Sequence, residues 1–192
     1  KPYPCCRFAH GAIDLAIAAR QESLDIQHIE KVSVRLYRTD ILSYRPRPLN
    51  PVDAQFNVPY LVALSLGKGS VGLADFSEEA IGREDILELA AKVEVIEDNN
   101  FTAAYPDKYM TEIVVYGGGG YSGLSECPSG DPEAPQYSDD PDLMRREVEN
   151  KVRVLFEETG FSERSDPLIK LVDEMDEASS LADLADLLRR RG

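Results

Sequence analysis

Tryptophan is absent, histidine occurs twice and cysteine three times. His10 and His28 with no Cys-x-x-Cys leave no ligand set for zinc, so no metal site is expected. Adjacent Cys5 and Cys6 are poorly placed to bridge each other. With Cys127 they build no disulfide framework and suit a reducing, cytoplasmic setting. No run of eighteen apolar residues occurs, which argues against a membrane-spanning helix. There is no Gly-x-Ser-x-Gly elbow. The run Gly117–Gly120 lacks the Lys-Ser/Thr of a phosphate loop and sits between predicted strands, so it reads as a turn. Positive charge is short as well, with 21 Lys+Arg against 35 Asp+Glu and a net charge of -14. Such a chain is a poor partner for nucleic acid, whose phosphates need clustered cations.

What remains is an ordinary globular composition, with 43% hydrophobic and 29% charged residues over a length of 192. That length suits one core, or one core with a small satellite. The charge is uneven: residues 1–70 hold nine Lys/Arg against six Asp/Glu, and residues 71–192 hold 12 against 29. A positive patch on an acidic protein suits a small anion. Charge alone favours the plainer reading, an acidic surface that aids solubility.

Apolar spacing predicts a buried helix over His10–Gln21 and a half-buried strand in Asp25–Asp40, where Val32, Val34 and Leu36 alternate with polar residues. Pro46, Pro48 and Pro51 make Tyr44–Pro51 a loop. Asp53 is the expected N-cap of a helix to Leu66, with Pro59 either kinking it or marking its true start, and Gly67, Gly69 and Gly72 ending it. Ser77 caps a short helix, Arg83–Lys92 is a further helix, and Val93–Glu97 is a strand. Tyr109–Tyr116 and Tyr121–Cys127 form a hairpin about the glycine run. Pro128–Pro141 is expected to be a polar loop. Asp140–Glu158 is an amphipathic helix with Leu143, Val148, Val152 and Leu155 facing inward. Asp166–Met175 and Leu181–Arg190 are helices with Leu168, Leu171, Val172, Leu184, Leu187 and Leu188 as their apolar stripe. The fold expected is α+β: about four mostly antiparallel strands, helices on one face and a C-terminal helical tail. The division expected is 1–127 and 128–192. The chain opens on Lys rather than Met with no signal peptide before it, which points to a fragment.

The segment richest in chemistry is Lys1-Pro-Tyr-Pro-Cys-Cys-Arg-Phe-Ala-His10, running into a helix. Lys1, Arg7 and His10 set cationic or titratable groups about a helix N-terminus, whose free N–H groups suit a carboxylate. The alternative is a plain structural helix start. Cys6 is either a thiolate nucleophile activated by that helix end or a buried structural cysteine. Tyr60, after Pro59, is either a core residue needing a hydroxyl partner or a group that binds a carboxylate or moves a proton.

Three stretches together resemble the MmgE/PrpD family: Lys1-Pro-Tyr-Pro-Cys-Cys with His10 and Asp14, Asp53-Ala-Gln-Phe-Asn-Val-Pro-Tyr60, and Gly72-Leu-Ala-Asp-Phe-Ser77. Gly130-Asp-Pro132 ahead of a helix carrying Lys151, and two closing helices, fit the same pattern. The family includes 2-methylcitrate dehydratase of propionate catabolism, cis-aconitate decarboxylase and iminodisuccinate epimerase. The resemblance implies the smaller α+β domain of a cofactor-independent, usually dimeric enzyme. Its active site would lie against a large N-terminal helical domain absent from this chain, which supplies the remaining acid–base residues. The chain alone is therefore expected to be inactive. The activity implied is a lyase reaction on a di- or tricarboxylic acid, the dehydratase foremost. By position, Lys1 faces the substrate carboxylate, His10 lies near the cleft, and Tyr60 points its hydroxyl at substrate; His10 and Tyr60 are the expected catalytic residues, and Lys1, Cys6 and Arg7 the expected substrate-binding ones. Cys6 stands where the decarboxylases place a histidine, which disfavours that branch. The competing expectations are a decarboxylase or epimerase of the same family, or a non-catalytic carboxylate-binding or dimerisation module.

Overall fold

A 3-10 turn at Arg7–Ala9 feeds directly into helix α1 (His10–Gln21), the helix predicted from its apolar spacing. The computed structural model describes residues 1–140, 142–175 and 181–189. Strand β1 (Ile29–Leu36) follows. Helices α2 (Pro51–Ala54), α3 (Val58–Lys68), α4 (Glu78–Ile81) and α5 (Glu84–Ala90) then lead to strand β2 (Val93–Glu97). Helix α6 (Asn99–Ala104) and the hairpin β3 (Thr111–Gly117) and β4 (Tyr121–Ser125) come next. Beyond them lie α7 (Pro135–Asp139), α8 (Leu143–Glu158), α9 (Ser165–Asp173) and α10 (Leu181–Leu188). No helix among the described residues is long and apolar enough to cross a membrane.

The sheet order is β2-β1-β3-β4. β1 pairs antiparallel with β3, and β3 with β4. β1 and β2 run parallel, with Val32 beside Val93 and Val34 beside Val95. A parallel pair cannot be closed by a tight turn, so the connection passes through α2 to α5. Val32, Val34, Leu36, Ile113 and Val115 are buried on one face, where alternation puts them in register across β1 and β3. α1 packs over β3 and β4, α3 over β2, and α3 packs on both α1 and α5. The α+β architecture with helices on one face is thus present, its sheet mixed.

Local capping explains where the elements differ from expectation. Asp53 does not cap the long helix. Asn50 caps α2 by accepting from the Asp53 N–H at 2.8 Å, with Pro51 opening the helix. Asn57 then caps α3, accepting from the Tyr60 N–H at 2.9 Å, and Pro59 falls in the first turn, where a missing N–H costs nothing. Gly67 sits inside α3, and Gly69 ends it in the left-handed conformation at φ 80°. Ser77 caps α4 as predicted. Helix α6 was not predicted, although Asp98 caps it by accepting from the Asn100 and Phe101 N–H groups. Nor was α7, which stands inside the expected loop 128–141. Pro141 and Arg190, in the expected loop and last helix, lie outside the described residues.

The chain divides into two compact units, one built from Tyr3–Pro135 and the other from residues after Pro135. Within the second, α8 packs on α9 and α9 on α10. The inward stripe expected of α8 is half-buried at Leu143, Val152 and Leu155, but Val148 is 57% exposed and no residue of the helix is fully covered. Val172 and Leu188 are each 55% exposed. A few amphipathic helices cannot enclose all their own apolar faces, because each stripe needs an opposing layer.

Candidate functional site

The stretch Lys1–His10 is held by backbone before any side chain acts. The Cys6 N–H donates to the Gln55 carbonyl at 2.8 Å, fixing the segment beside the α2–α3 junction. The Ala9 N–H donates to the Cys6 carbonyl at 3.1 Å and closes the 3-10 turn. The Lys1 ammonium donates to the Cys5 carbonyl at 3.1 Å, and the Tyr3 hydroxyl donates to Asp14 on α1 at 2.6 Å. Lys1 is exposed, whereas Cys5, Cys6 and His10 are buried. Burial foremost pushes the Cys5 thiol up to about 12, so it stays protonated and inert near neutrality.

His10 is wholly enclosed, and neither ring nitrogen has a hydrogen-bond partner among the described residues. Its ring meets Tyr3 edge-on at 5.1 Å between centroids. Burial lowers its pKa to about 4; the Lys1 and Arg7 charges act the same way, and the nearby Cys5 backbone opposes them. His10 is therefore a neutral imidazole at pH 7, not a third cation beside Lys1 and Arg7. An unfolded His10 takes up a proton near 6.5, whereas the folded one resists until about 4. Its contribution is intact above the upper value and is lost as pH falls towards the lower one, by about 3 kcal/mol at pH 4. Urea midpoints measured at pH 7, 5.5 and 4 should fall more steeply for wild type than for His10→Gln. Parallel curves would assign the acid sensitivity elsewhere.

Arg7 lies against a second segment that spacing did not connect to it. Its guanidinium pairs with the Asp131 carboxylate, reaches the Gly130 carbonyl at 3.5 Å and sits 5.3 Å from the Tyr109 ring centroid. Asp14 accepts the Ser129 N–H at 2.7 Å. Tyr109 belongs to a four-ring cluster with Phe8, Tyr37 and Tyr105, in which Tyr37 and Tyr105 stack at 5.1 Å. The Tyr37 hydroxyl is buried without a partner among the described residues, and burial foremost raises its pKa far above the ordinary phenol value.

Tyr60 stands apart from this cluster in its bonding. It is 1% exposed, and its hydroxyl donates to the Asp75 carbonyl at 2.7 Å. The Asp75 carboxylate accepts from Lys68 at 2.8 Å and from the Gly72 N–H at 2.7 Å. Burial foremost, then the Asp75 charge, raises the phenol to about 12. The hydroxyl partner demanded of a core tyrosine is thus the backbone of the Gly72–Ser77 stretch. Tyr60→Phe leaves that carbonyl unpaired, and a loss of about 1–2 kcal/mol in urea unfolding is expected. An unchanged midpoint would mean the bond contributes nothing net.

The MmgE/PrpD C-terminal domain is the family model that matches, over residues 3–177. The chain belongs to this family. No curated protein sequence matches it. The matched description, a C-terminal domain, implies an N-terminal partner domain in the family. In this MmgE/PrpD domain the Lys1 and Arg7 charges lie close enough to act on the His10 ring, while the Tyr60 hydroxyl is bonded to another segment. Among the described residues no group of His, Cys, Asp or Glu is arranged to hold a metal ion. Sequence reading gave no role to Tyr3, Asp14, Tyr37, Tyr109 or Asp131. Asp14 and Gly130-Asp-Pro132 were visible as motif elements, but that Asp131 pairs with Arg7 depends on a contact 124 positions long.

Proposed function

We propose that this domain forms one wall of the active site of a carbon–oxygen lyase acting on a di- or tricarboxylic acid, of the 2-methylcitrate dehydratase type. The observation that carries the reading is the enclosed His10 imidazole, with both nitrogens unpaired, on the same short segment as Lys1 and Arg7. An unpaired buried imidazole costs stability, and such groups are kept where function uses them. In this reading Lys1, Arg7 and Cys6 line the substrate site.

The reaction removes a proton from the carbon next to a carboxylate. The electron pair moves into that carboxylate as an enediolate-like anion, then returns to form a double bond as hydroxide leaves on the adjacent carbon. A proton delivered to the departing oxygen makes it water. The two cations stabilise the charge as it develops. His10, neutral near pH 7, can accept or pass a proton once a substrate or partner group reaches its ring. Tyr60, protonated below about 12, serves only as a neutral phenol, and its hydroxyl reaches a substrate only by leaving Asp75. The rest of the acid–base set belongs to the N-terminal domain. A homodimer and a reducing, cytoplasmic setting are part of the same proposal, and the free Cys5, Cys6 and Cys127 support that setting.

The test is incubation of the whole enzyme in heavy water with 2-methylcitrate, citrate, cis-aconitate and iminodisuccinate, followed by proton NMR. Loss of water from 2-methylcitrate is the expected result. Carbon dioxide release or bare proton exchange would move the protein to the decarboxylase or epimerase branch. Silence across the panel would leave a carboxylate-binding module.

A further inference from the structure

The segment after β4 is clasped by two carboxylates, one on α1 and one on the loop itself, and Arg7 also reaches the loop's Gly130 carbonyl at 3.5 Å. Asp14 of α1 accepts the Ser129 N–H at 2.7 Å while its other oxygen accepts from Tyr3 at 2.6 Å. Asp131 reaches in the opposite sense, from the loop to Arg7. The second clasp is the weaker mechanically, because it joins two side chains rather than a side chain and a backbone. It is also open to water on one side, with Arg7 27% and Asp131 15% exposed. The loop presents the Asp131 carboxylate deliberately: its other oxygen accepts the Glu133 N–H at 3.1 Å, its carbonyl accepts the Ala134 N–H at 2.9 Å, and its own N–H donates to the Pro128 carbonyl at 3.2 Å. Arg7 keeps a support of its own in the Tyr109 ring, which does not depend on the loop.

We propose that Arg7 is a seat for a ligand carboxylate and that the Asp131 carboxylate is its resting occupant. An arriving carboxylate and Asp131 are chemically alike and compete for the same planar donor face. Ligand entry and release of the loop at Asp131 are then a single exchange, with Tyr109 holding the guanidinium and Asp14 keeping the loop tethered at Ser129. The loop thereby acts as an internal inhibitor whose departure reports an occupied site. This inference rests on the carboxylate-substrate reading above and adds to it the identity of the displaced group.

The experiment titrates the whole enzyme, N-terminal domain included, with tricarballylate, an unreactive tricarboxylate, measuring binding by calorimetry and the backbone amides of this domain by hydrogen exchange. Asp131→Asn removes the competing charge yet keeps an oxygen for the Glu133 N–H. It is expected to bind tricarballylate about tenfold more tightly than wild type, and Arg7→Gln to lose binding at the same concentrations. Saturating wild type should speed exchange at the Asp131, Glu133 and Ala134 amides. Weaker or equal binding by Asp131→Asn would overturn the proposal, since Asp131 would then orient Arg7 rather than compete for it. Unchanged or slowed exchange at those amides would overturn it too. In both cases binding by wild type leaves the carboxylate reading standing, whereas no binding by wild type or Asp131→Asn removes both.

Discussion

Lys1→Ala in the whole enzyme is expected to lower turnover at least about tenfold. Lys1 is exposed at the start of a segment whose other residues are half-buried or buried, and its ammonium is steered by the Cys5 carbonyl at 3.1 Å. That bond fixes the end of a flexible side chain and so places the positive charge on this segment. During proton abstraction the substrate carboxylate gains negative charge, so a fixed cation helps the transition state more than the ground state. Removal of one preorganised donor of this kind commonly costs roughly a hundredfold or more, which makes tenfold a floor. The loss should appear in kcat as well as in kcat/KM, and Lys1→Arg should recover part of it. A rise in KM alone would reduce Lys1 to a binding group, and near-normal kinetics would sink its assignment. Misfolding is a poor alternative explanation, because substitutions at exposed positions usually change stability by about 0.5 kcal/mol or less.

The second large effect concerns the hairpin that frames β3. Gly117 has φ 79°, and a β-carbon there would lie 2.3 Å from the His28 carbonyl oxygen and 2.9 Å from the Glu30 nitrogen. Both are backbone atoms of the stretch entering the central strand, so neither can turn aside as a side chain would. Gly117→Ala is therefore expected to destabilise by about 3–4 kcal/mol, combining the left-handed penalty with a backbone clash. Gly119 is the internal control. Its φ is 102°, yet a β-carbon there meets nothing within 4 Å. Gly119→Ala should cost only about 1–2 kcal/mol, from conformation alone. Paired urea curves decide it. Equal losses at the two positions would show that the approach to His28 and Glu30 is easily relieved.

Both effects bear on how much could be read before the fold was known. The helix His10–Gln21, the strands and the hairpin follow from period and turn chemistry, which are local. So does the start of α3, since Asn57 and Pro59 lie within one turn. Asp53 misled because two adjacent caps, Asn50 and Asn57, each closed a separate helix where one long helix seemed to run. The expected inward face of α8 is only partly covered, for a different reason. Periodicity says which side of a helix is apolar, not whether another layer covers it, and Val148 remains 57% exposed.

The candidate site divides along the same line. The chemistry of Lys1, Arg7, His10 and Tyr60 was legible because residue type and spacing on a motif are properties of the chain. Their protonation and commitments were not. Burial by other segments makes His10 neutral, the Gly72–Ser77 stretch takes the Tyr60 hydroxyl, and a loop more than a hundred positions away takes Arg7. By itself the sequence determined the element order, the family resemblance and the set of charged groups available. Only the tertiary structure decided which of those groups are already paired and which are sealed from water, because desolvation and ion pairing depend on what long-range packing brings within a few ångströms.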